Sequence, residues 1–274
     1  MLGFASDEGV RRNKGRRGAA AAPDAIRRLL ANMAAHSGHH NIVDYGTLTT
    51  EDDDLESMQS NLATRVTEVQ KSGQCTLVLG GGHETAYAHG LGLYEAHPEA
   101  KVGIINFDAH LDLRTNDRST SGTPFRQLHE YCMRTRRPFN YMVIGASLAS
   151  NTVTLANDAK RFGVKVIWDT CFMELSRQDI EKQVTEFING CDVLYLTIDL
   201  DVLPAWQMPG VSAPASLGVS IDHLLPLITK VCHASSLRAV DLVEYNPSTD
   251  IQQIGGRLAA RIAWHILHHW ERVE

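Results

Sequence analysis

Seven short apolar runs, most of them separated by a stretch of helical period, restrict this chain to an alternating α/β fold. The runs lie at residues 41–46, 75–80, 101–107, 140–146, 164–168, 192–198 and 237–243. Amphipathic stretches fill 24–35, 55–71, 84–96, 151–162, 177–189 and 221–234, and a long final one covers 252–271. The strand-like runs are apolar almost throughout instead of alternating, as in a mostly parallel sheet covered by helices on both faces. No Ser/Gly/Pro-rich linker interrupts the pattern, so the 274 residues, 43% of them hydrophobic, are expected to form one domain over 1–274.

Three of the runs end in clusters of aspartate and histidine: His83 in LVLGGGHE, Asp108, His110 and Asp112 in IINFDAHLD, and Asp199 and Asp201 in LYLTIDLDV. Open α/β sheets build their sites where strands emerge at their carboxyl ends. On an extended segment, residues two apart point to the same side, so each cluster can converge on one spot. One cluster alone could as well cap a helix or turn; three together point to metal. Four carboxylates would over-charge the cage of one divalent ion, whereas two ions balance them. Oxygen-rich ligation with two imidazoles and no thiolate favours manganese, two Mn2+ per chain. The GGGH glycines lack the lysine and spacing of a P-loop, and are expected to let the backbone bend so that His83 reaches the metals.

The net charge of −6 argues against a nucleic-acid or anionic-membrane partner. Five scattered cysteines without CxxC spacing read as buried free thiols of a reducing cytoplasm. No signal peptide and no apolar stretch long enough to span a bilayer is found. The sequence permits a homo-oligomer.

The triplet GGGH, DAHLD and IDLD is similar to the metal-binding signature of the ureohydrolase superfamily of arginases, agmatinases and formimidoylglutamases. The resemblance runs from about Gly9 to the C-terminal helix. GVRRNKGRRGAAAAPDAIRR near the start and DVLPAWQMPGVSAPA after the last aspartate pair resemble the formimidoylglutamase branch. Arginases and agmatinases place a further aspartate where Pro204 stands here. The resemblance implies an arginase-like three-layer α/β/α fold. It also implies that Asp108 and Asp199 bridge both ions, that His83 and Asp112 complete one coordination sphere, and that His110 and Asp201 complete the other. Relatives carry an additional segment before GVRRNKGR, so the first strand here is expected to be very short, within residues 1–5, or missing.

Two adjacent divalent cations sharing a water lower its pKa and leave a bridging hydroxide poised at neutral pH. That nucleophile suits a carbon held between nitrogens, and Asp201 can accept a hydrogen bond from it and act as a proton shuttle. Glu244 in DLVEYNP matches the glutamate that holds the cationic amidine or guanidine, the alternative being a solvated strand-end residue. Arg114, two residues after Asp112, favours a carboxylate-bearing tail, hence a small acidic amidine substrate. Arg12 and Asn13 fall at the pocket rim by resemblance; the surrounding run Arg11, Lys14, Arg16 and Arg17 adds positive field or a solvated loop. Phe125 stands where arginases carry a proton-shuttling histidine. Arg126 either reaches the substrate or begins the 124–137 helix as a surface arginine. His265, His268 and His269 read as a solvent-facing helix end, His36, His39 and His40 as a turn cluster, and Trp206 as a pocket wall or loop anchor.

The resemblance therefore implies hydrolysis of N-formimidoyl-L-glutamate to L-glutamate and formamide, a step of histidine breakdown. The alternatives are an agmatinase or guanidino-acid hydrolase of the same superfamily, or a catalytically silent metal-binding partner protein. Arg114 disfavours agmatine, whose terminal ammonium it would repel.

Overall fold

The computed structural model describes residues 1–36, 42–49 and 54–270. Eight strands form one sheet: β1 (Leu2–Phe4), β2 (Thr47–Leu48), β3 (Thr76–Gly80), β4 (Val102–Phe107), β5 (Asn140–Ala146), β6 (Lys165–Trp168), β7 (Val193–Asp199) and β8 (Leu237–Val243). Their order is β2-β1-β3-β8-β7-β4-β5-β6, and every strand pair runs parallel. The helices are α1 (Glu8–Arg12), α2 (Ala22–Leu30), α3 (Leu55–Lys71), α4 (Thr85–Ala96), α5 (Pro124–Thr135), α6 (Val153–Arg161), α7 (Cys171–Glu174), α8 (Arg177–Ile188), α9 (Ile221–Cys232) and α10 (Ile254–His269).

Period-2 alternation sorts the strand side chains between two helical layers. Ile105, Phe107, Leu194, Leu196 and Ile198 face one apolar cluster with Ile26, Val184, Leu227 and Ile262 from α2, α8, α9 and α10. Ile104, Val193 and Tyr195 face the other, with Leu93, Leu128 and Ala159 from α4, α5 and α6. Both faces are thus dry, which is why the runs read as apolar throughout. Local signals fix several helix starts: the side chains of Asp54, Thr152 and Ser176 accept from the backbone N–H of Ser57, Leu155 and Asp179.

The first strand is short, Leu2–Phe4, and it lies inside the sheet between β2 and β3. The strand expected at 41–46 is displaced. Residue 41 lies outside the described residues, 42–46 form no strand, and the pairing falls on Thr47–Leu48. Backbone bonds still tie this segment to the start of the chain, the Tyr45 N–H donating to the Met1 carbonyl and the Gly3 N–H to the Gly46 carbonyl, while the Arg27 guanidinium holds Asp44 and the Gly46 carbonyl beside them. The helices α1 and α7, of five and four residues, are too short to show a period in the sequence.

The C-terminal histidines are corrected. His265 is buried, with Nε2 2.7 Å from Thr229 Oγ1. Burial, then the neighbouring His269, pushes its pKa down to about 4. His268 stacks on Trp264 at 3.4 Å. His265 is thus part of the core, whereas His268 and His269 are half-buried at the helix end. His39 and His40 lie outside the described residues. Of the cysteines, all free, only Cys132 and Cys232 are buried. No helix among the described residues is long and apolar enough to cross a membrane.

Candidate metal centre

The clustered residues leave from the carboxyl ends of β3, β7 and β4, and Glu244 follows β8; these four strands are adjacent in the middle of the sheet. The convergence does not come from the strand pleat, as the spacing suggested. The chain leaves β4 at Phe107, and Asp201 lies in a 3-10 turn over Leu200–Val202. Each leading aspartate instead folds the chain back on itself. Asp108 Oδ1 accepts from the His110 N–H at 2.6 Å, and Asp199 Oδ1 from the Asp201 N–H at 2.9 Å. Asp112 is held in the left-handed region, φ 49, a strained conformation for an aspartate.

One ligand atom each from His83, Asp108, Asp112 and Asp199 lies within 4.8 Å of the others, and the same holds for Asp108, His110 and Asp201. Asp108 belongs to both groups. His83 Nδ1 is 3.2, 2.9 and 3.1 Å from carboxylate oxygens of Asp108, Asp112 and Asp199. It is buried yet has hydrogen-bond geometry to none of them. Its Nε2 lies 3.0 Å from Thr197 Oγ1. With Nε2–H donating there, the Nδ1 lone pair points among the three carboxylates, the posture of a metal ligand. Asp201 Oδ1 is likewise buried without a partner.

Electrostatics agree. Burial, then neighbouring carboxylates, raises Asp112 and Asp199 above the usual carboxylate range. Burial alone would lower His83 and His110, but the surrounding aspartates outweigh it and raise both. Burial also raises Asp108, but the adjacent His110 and His83 imidazoles outweigh that and leave it lowered. A buried cage of this composition is short of positive charge, and oxygen-rich donors with two imidazoles fit divalent cations.

Sequence reasoning missed the groups behind the cage. Asn106 Nδ2 donates to Asp108 Oδ2 at 2.9 Å and lies 2.9 Å from Tyr141 OH, and Asn151 Oδ1 accepts from the Leu111 N–H. Phe125 stacks on Tyr141 at 4.3 Å and meets the His83 ring edge-on at 5.3 Å, closing the wall beside that imidazole. The GGGH loop is held by its lack of side chains. A Cβ on Gly81 would sit 1.9 Å from the Ser6 carbonyl oxygen. Gly81→Ala should therefore cost about 1–3 kcal/mol of stability, read as a fall in melting temperature. An unchanged melting temperature would show that this loop has room to move.

Glu244 is also left-handed, φ 69, and 5% exposed. Its N–H donates to the Gly81 carbonyl at 2.7 Å, and its Oε1 accepts from the His83 N–H at 2.8 Å. One carboxylate oxygen is thus shared with the loop, not fully available to a ligand as the sequence suggested. Burial, then the nearby Glu84, raises its pKa well above the usual range, so a cationic partner would favour its ionised form.

A cavity of about 280 Å³ opens over His83, His110, Asp112, Asp199, Asp201 and Glu244. Asn13, Lys14, Arg114, Ser121 and Ser212 line its outer part. Arg114 Nη1 donates to Asn13 Oδ1 at 3.3 Å, and Asn13 Nδ2 to Ser121 Oγ at 3.1 Å. Arg12 is not on this wall. Its guanidinium turns away to Glu8 and Glu56, where three carboxylate contacts of 2.6 to 3.0 Å hold it. Arg126 lies on α5 with Glu130 and Asp158, 5.1 Å above the Phe162 ring, and does not reach the cavity. Trp206 is 72% exposed, neither wall nor anchor.

A parallel sheet whose central strand ends hold an acidic, imidazole-bearing cage under a cavity is the architecture of a metal-dependent hydrolase. The arginase family model matches residues 1–269, and the chain belongs to that family. It is 53% identical over 270 residues to a formimidoylglutamase of Photorhabdus laumondii and to one of Enterobacter sp., covering 98% of this chain and 85% of each relative. Among solved structures, a Trypanosoma cruzi formiminoglutamase with Mn2+2 superposes with TM-score 0.88 at 26% identity, covering 97% of this chain and 91% of that one. An arginase of Bacillus subtilis gives TM-score 0.85 at 25% identity over 97% and 96%.

Proposed function

We propose that this chain is a formimidoylglutamase, hydrolysing N-formimidoyl-L-glutamate to L-glutamate and formamide with two manganese ions. The observation that carries this reading is the polarity of the cavity, which sets buried carboxylates at its floor and Arg114 at its outer wall. An amidinium at one end and carboxylates at the other match that gradient. His83, Asp108, Asp112 and Asp199 would hold one ion, and Asp108, His110 and Asp201 the other, with Asp108 shared. Asp199, a second bridging ligand by resemblance, groups with the first set only, its Oδ2 lying 3.1 Å from His83 Nδ1 and its Oδ1 accepting from the Asp201 N–H. When bound, such a pair supplies an activated water and stabilises charge that develops on the substrate.

The protein's own groups do the rest. Glu244 pairs with the amidinium and fixes its plane, so that the carbon faces the water. Asp201, through its unpartnered Oδ1, takes the proton the water gives up as the new C–O bond forms. It then delivers a proton to the glutamate nitrogen as the C–N bond breaks. Phe125 and Tyr141 keep bulk water from the His83 side. Free cysteines fit a reducing compartment, and we place the enzyme in the cytoplasm.

A substrate panel on manganese-loaded protein tests this reading. Formamide release from N-formimidoyl-L-glutamate should exceed urea release from agmatine or a guanidino acid; the reverse order would remove the substrate assignment. Arg114→Ala should raise KM for formimidoylglutamate with manganese content intact. The loss should be roughly 1–2 kcal/mol, because Arg114 is exposed and its pairing is screened. Equal losses on agmatine would show that Arg114 supports the loop and does not read the tail.

A further inference from the structure

Of the five basic side chains between residues 11 and 17, four are tied to the protein itself. Arg11 pairs with Glu8, Arg12 with Glu8 and Glu56, and Arg17 with Asp7. Arg16 donates to the carbonyls of Val211 and Ser212. Lys14 is different. Among the described residues its ammonium makes no ion pair and no hydrogen bond, and it lines the outer cavity with Arg114.

The backbone beneath Lys14 is built and rigid. The helix α1 ends with the Lys14 N–H donating to the Arg11 carbonyl at 3.0 Å and the Gly15 N–H to the Val10 carbonyl at 2.8 Å. This closure needs a left-handed residue, a place glycine fills without penalty. Here a lysine takes it, φ 64, although a glycine follows directly. The Arg16 N–H then donates to Ser212 Oγ at 2.8 Å, and Asn246 Nδ2 donates to the Arg16 and Arg17 carbonyls. No local contact rewards the lysine side chain for its strained backbone, so its reason for being there lies in what enters the cavity.

Lys14 and Arg114 are the only lysine or arginine side chains on that lining, facing the carboxylates of the floor. We infer that Lys14 is a second carboxylate-binding residue, and that Lys14 and Arg114 together select a tail bearing two carboxylates over one bearing one or none. This rests on the proposed reading of the site and deepens it. Arg114, oriented by Asn13, offers a planar fork; Lys14 offers a point charge on a flexible stem that can follow the second carboxylate. Each tail lacking a carboxylate would leave one cation unpaired.

The test is calorimetric binding of glutarate and butyrate to manganese-loaded wild-type protein and to Lys14→Met, Lys14→Arg and Lys14→Gly. Wild type should bind glutarate more tightly than butyrate. Lys14→Met and Lys14→Gly should weaken glutarate roughly tenfold, a modest factor for an exposed charge pair. Lys14→Arg should restore most of that affinity, and Lys14→Gly should not lower the melting temperature. Glutarate affinity unchanged in Lys14→Met, Lys14→Arg as weak as Lys14→Met, or a wild type that binds glutarate no better than butyrate would each overturn the assignment. Formimidoylglutamate turnover, measured in parallel, separates the two readings. Lys14-dependent glutarate binding without turnover would refute the proposed reaction and keep Lys14 in its role. Turnover with an unchanged KM in Lys14→Met would refute Lys14 alone.

Discussion

Asp108→Ala should leave the protein unable to hold either of its two ions, and hydrolysis should fall to background. Asp108 is the one residue common to both candidate ligand groups. Its two oxygens also organise their surroundings: Oδ1 accepts from the His110 N–H and Oδ2 from Asn106. Removing it therefore takes a ligand from each ion and releases the turn that aims His110. Loss of the metals' contribution amounts to several kcal/mol of transition-state stabilisation, at least about 10³-fold in rate. Asp108→Asn, which preserves the shape and an acceptor for the His110 N–H, separates the two effects and should still lose metal. Asp112→Ala, by contrast, touches one group only and should retain part of the metal. Metal-to-protein ratios after exhaustive dialysis, with thermal melting to confirm folding, decide the matter. Two ions retained in Asp108→Ala would sink the shared-ligand assignment, and full activity in rigorously metal-free wild type would sink the mechanism.

The sequence disclosed the site more fully than its supports. His83, Asp108, His110, Asp112, Asp199 and Asp201 could be read because each cluster ends an apolar run, and the carboxyl ends of parallel strands share one edge of the sheet. What spacing could not disclose was the local path. The i, i+2 pairs looked like strand neighbours, yet they converge through side-chain-to-backbone turns made by the leading aspartate. Arg12 failed for a general reason. Within a run of five cations, nothing local distinguishes a ligand-facing charge from one paired to a carboxylate 44 residues away, as Arg12 is to Glu56. Asp241 gave no signal either. It lies mid-strand in LRAVDLV, fully buried, and is compensated by His89 Nδ1 at 2.7 Å and the Tyr195 hydroxyl. Such a buried polar group reads as a break in an apolar run until the partners from other elements are in place.

Glu244→Gln should keep both ions and the fold while losing about 2–4 kcal/mol of transition-state stabilisation, roughly 30- to 1000-fold in kcat/KM. Glutamine is the informative replacement because of what the carboxylate already does within the protein. Its Oε1 accepts from the His83 N–H at 2.8 Å, and its own N–H is tied to the Gly81 carbonyl. An amide oxygen can keep the first bond and leaves the second untouched, so the GGGH loop and the His83 ring should stay in place. Glu244→Ala would instead leave a buried N–H unsatisfied and loosen the loop that carries a ligand, confusing catalysis with metal affinity. What the glutamine removes is the negative charge proposed to face the amidinium. In a buried site that charge holds the cation and also sets the angle at which its carbon meets the water, so the loss should fall on kcat as well as KM. Manganese content and melting temperature should match wild type within error. A normal rate at normal metal content would place Glu244 outside the chemistry, as a brace for the His83 loop and nothing more.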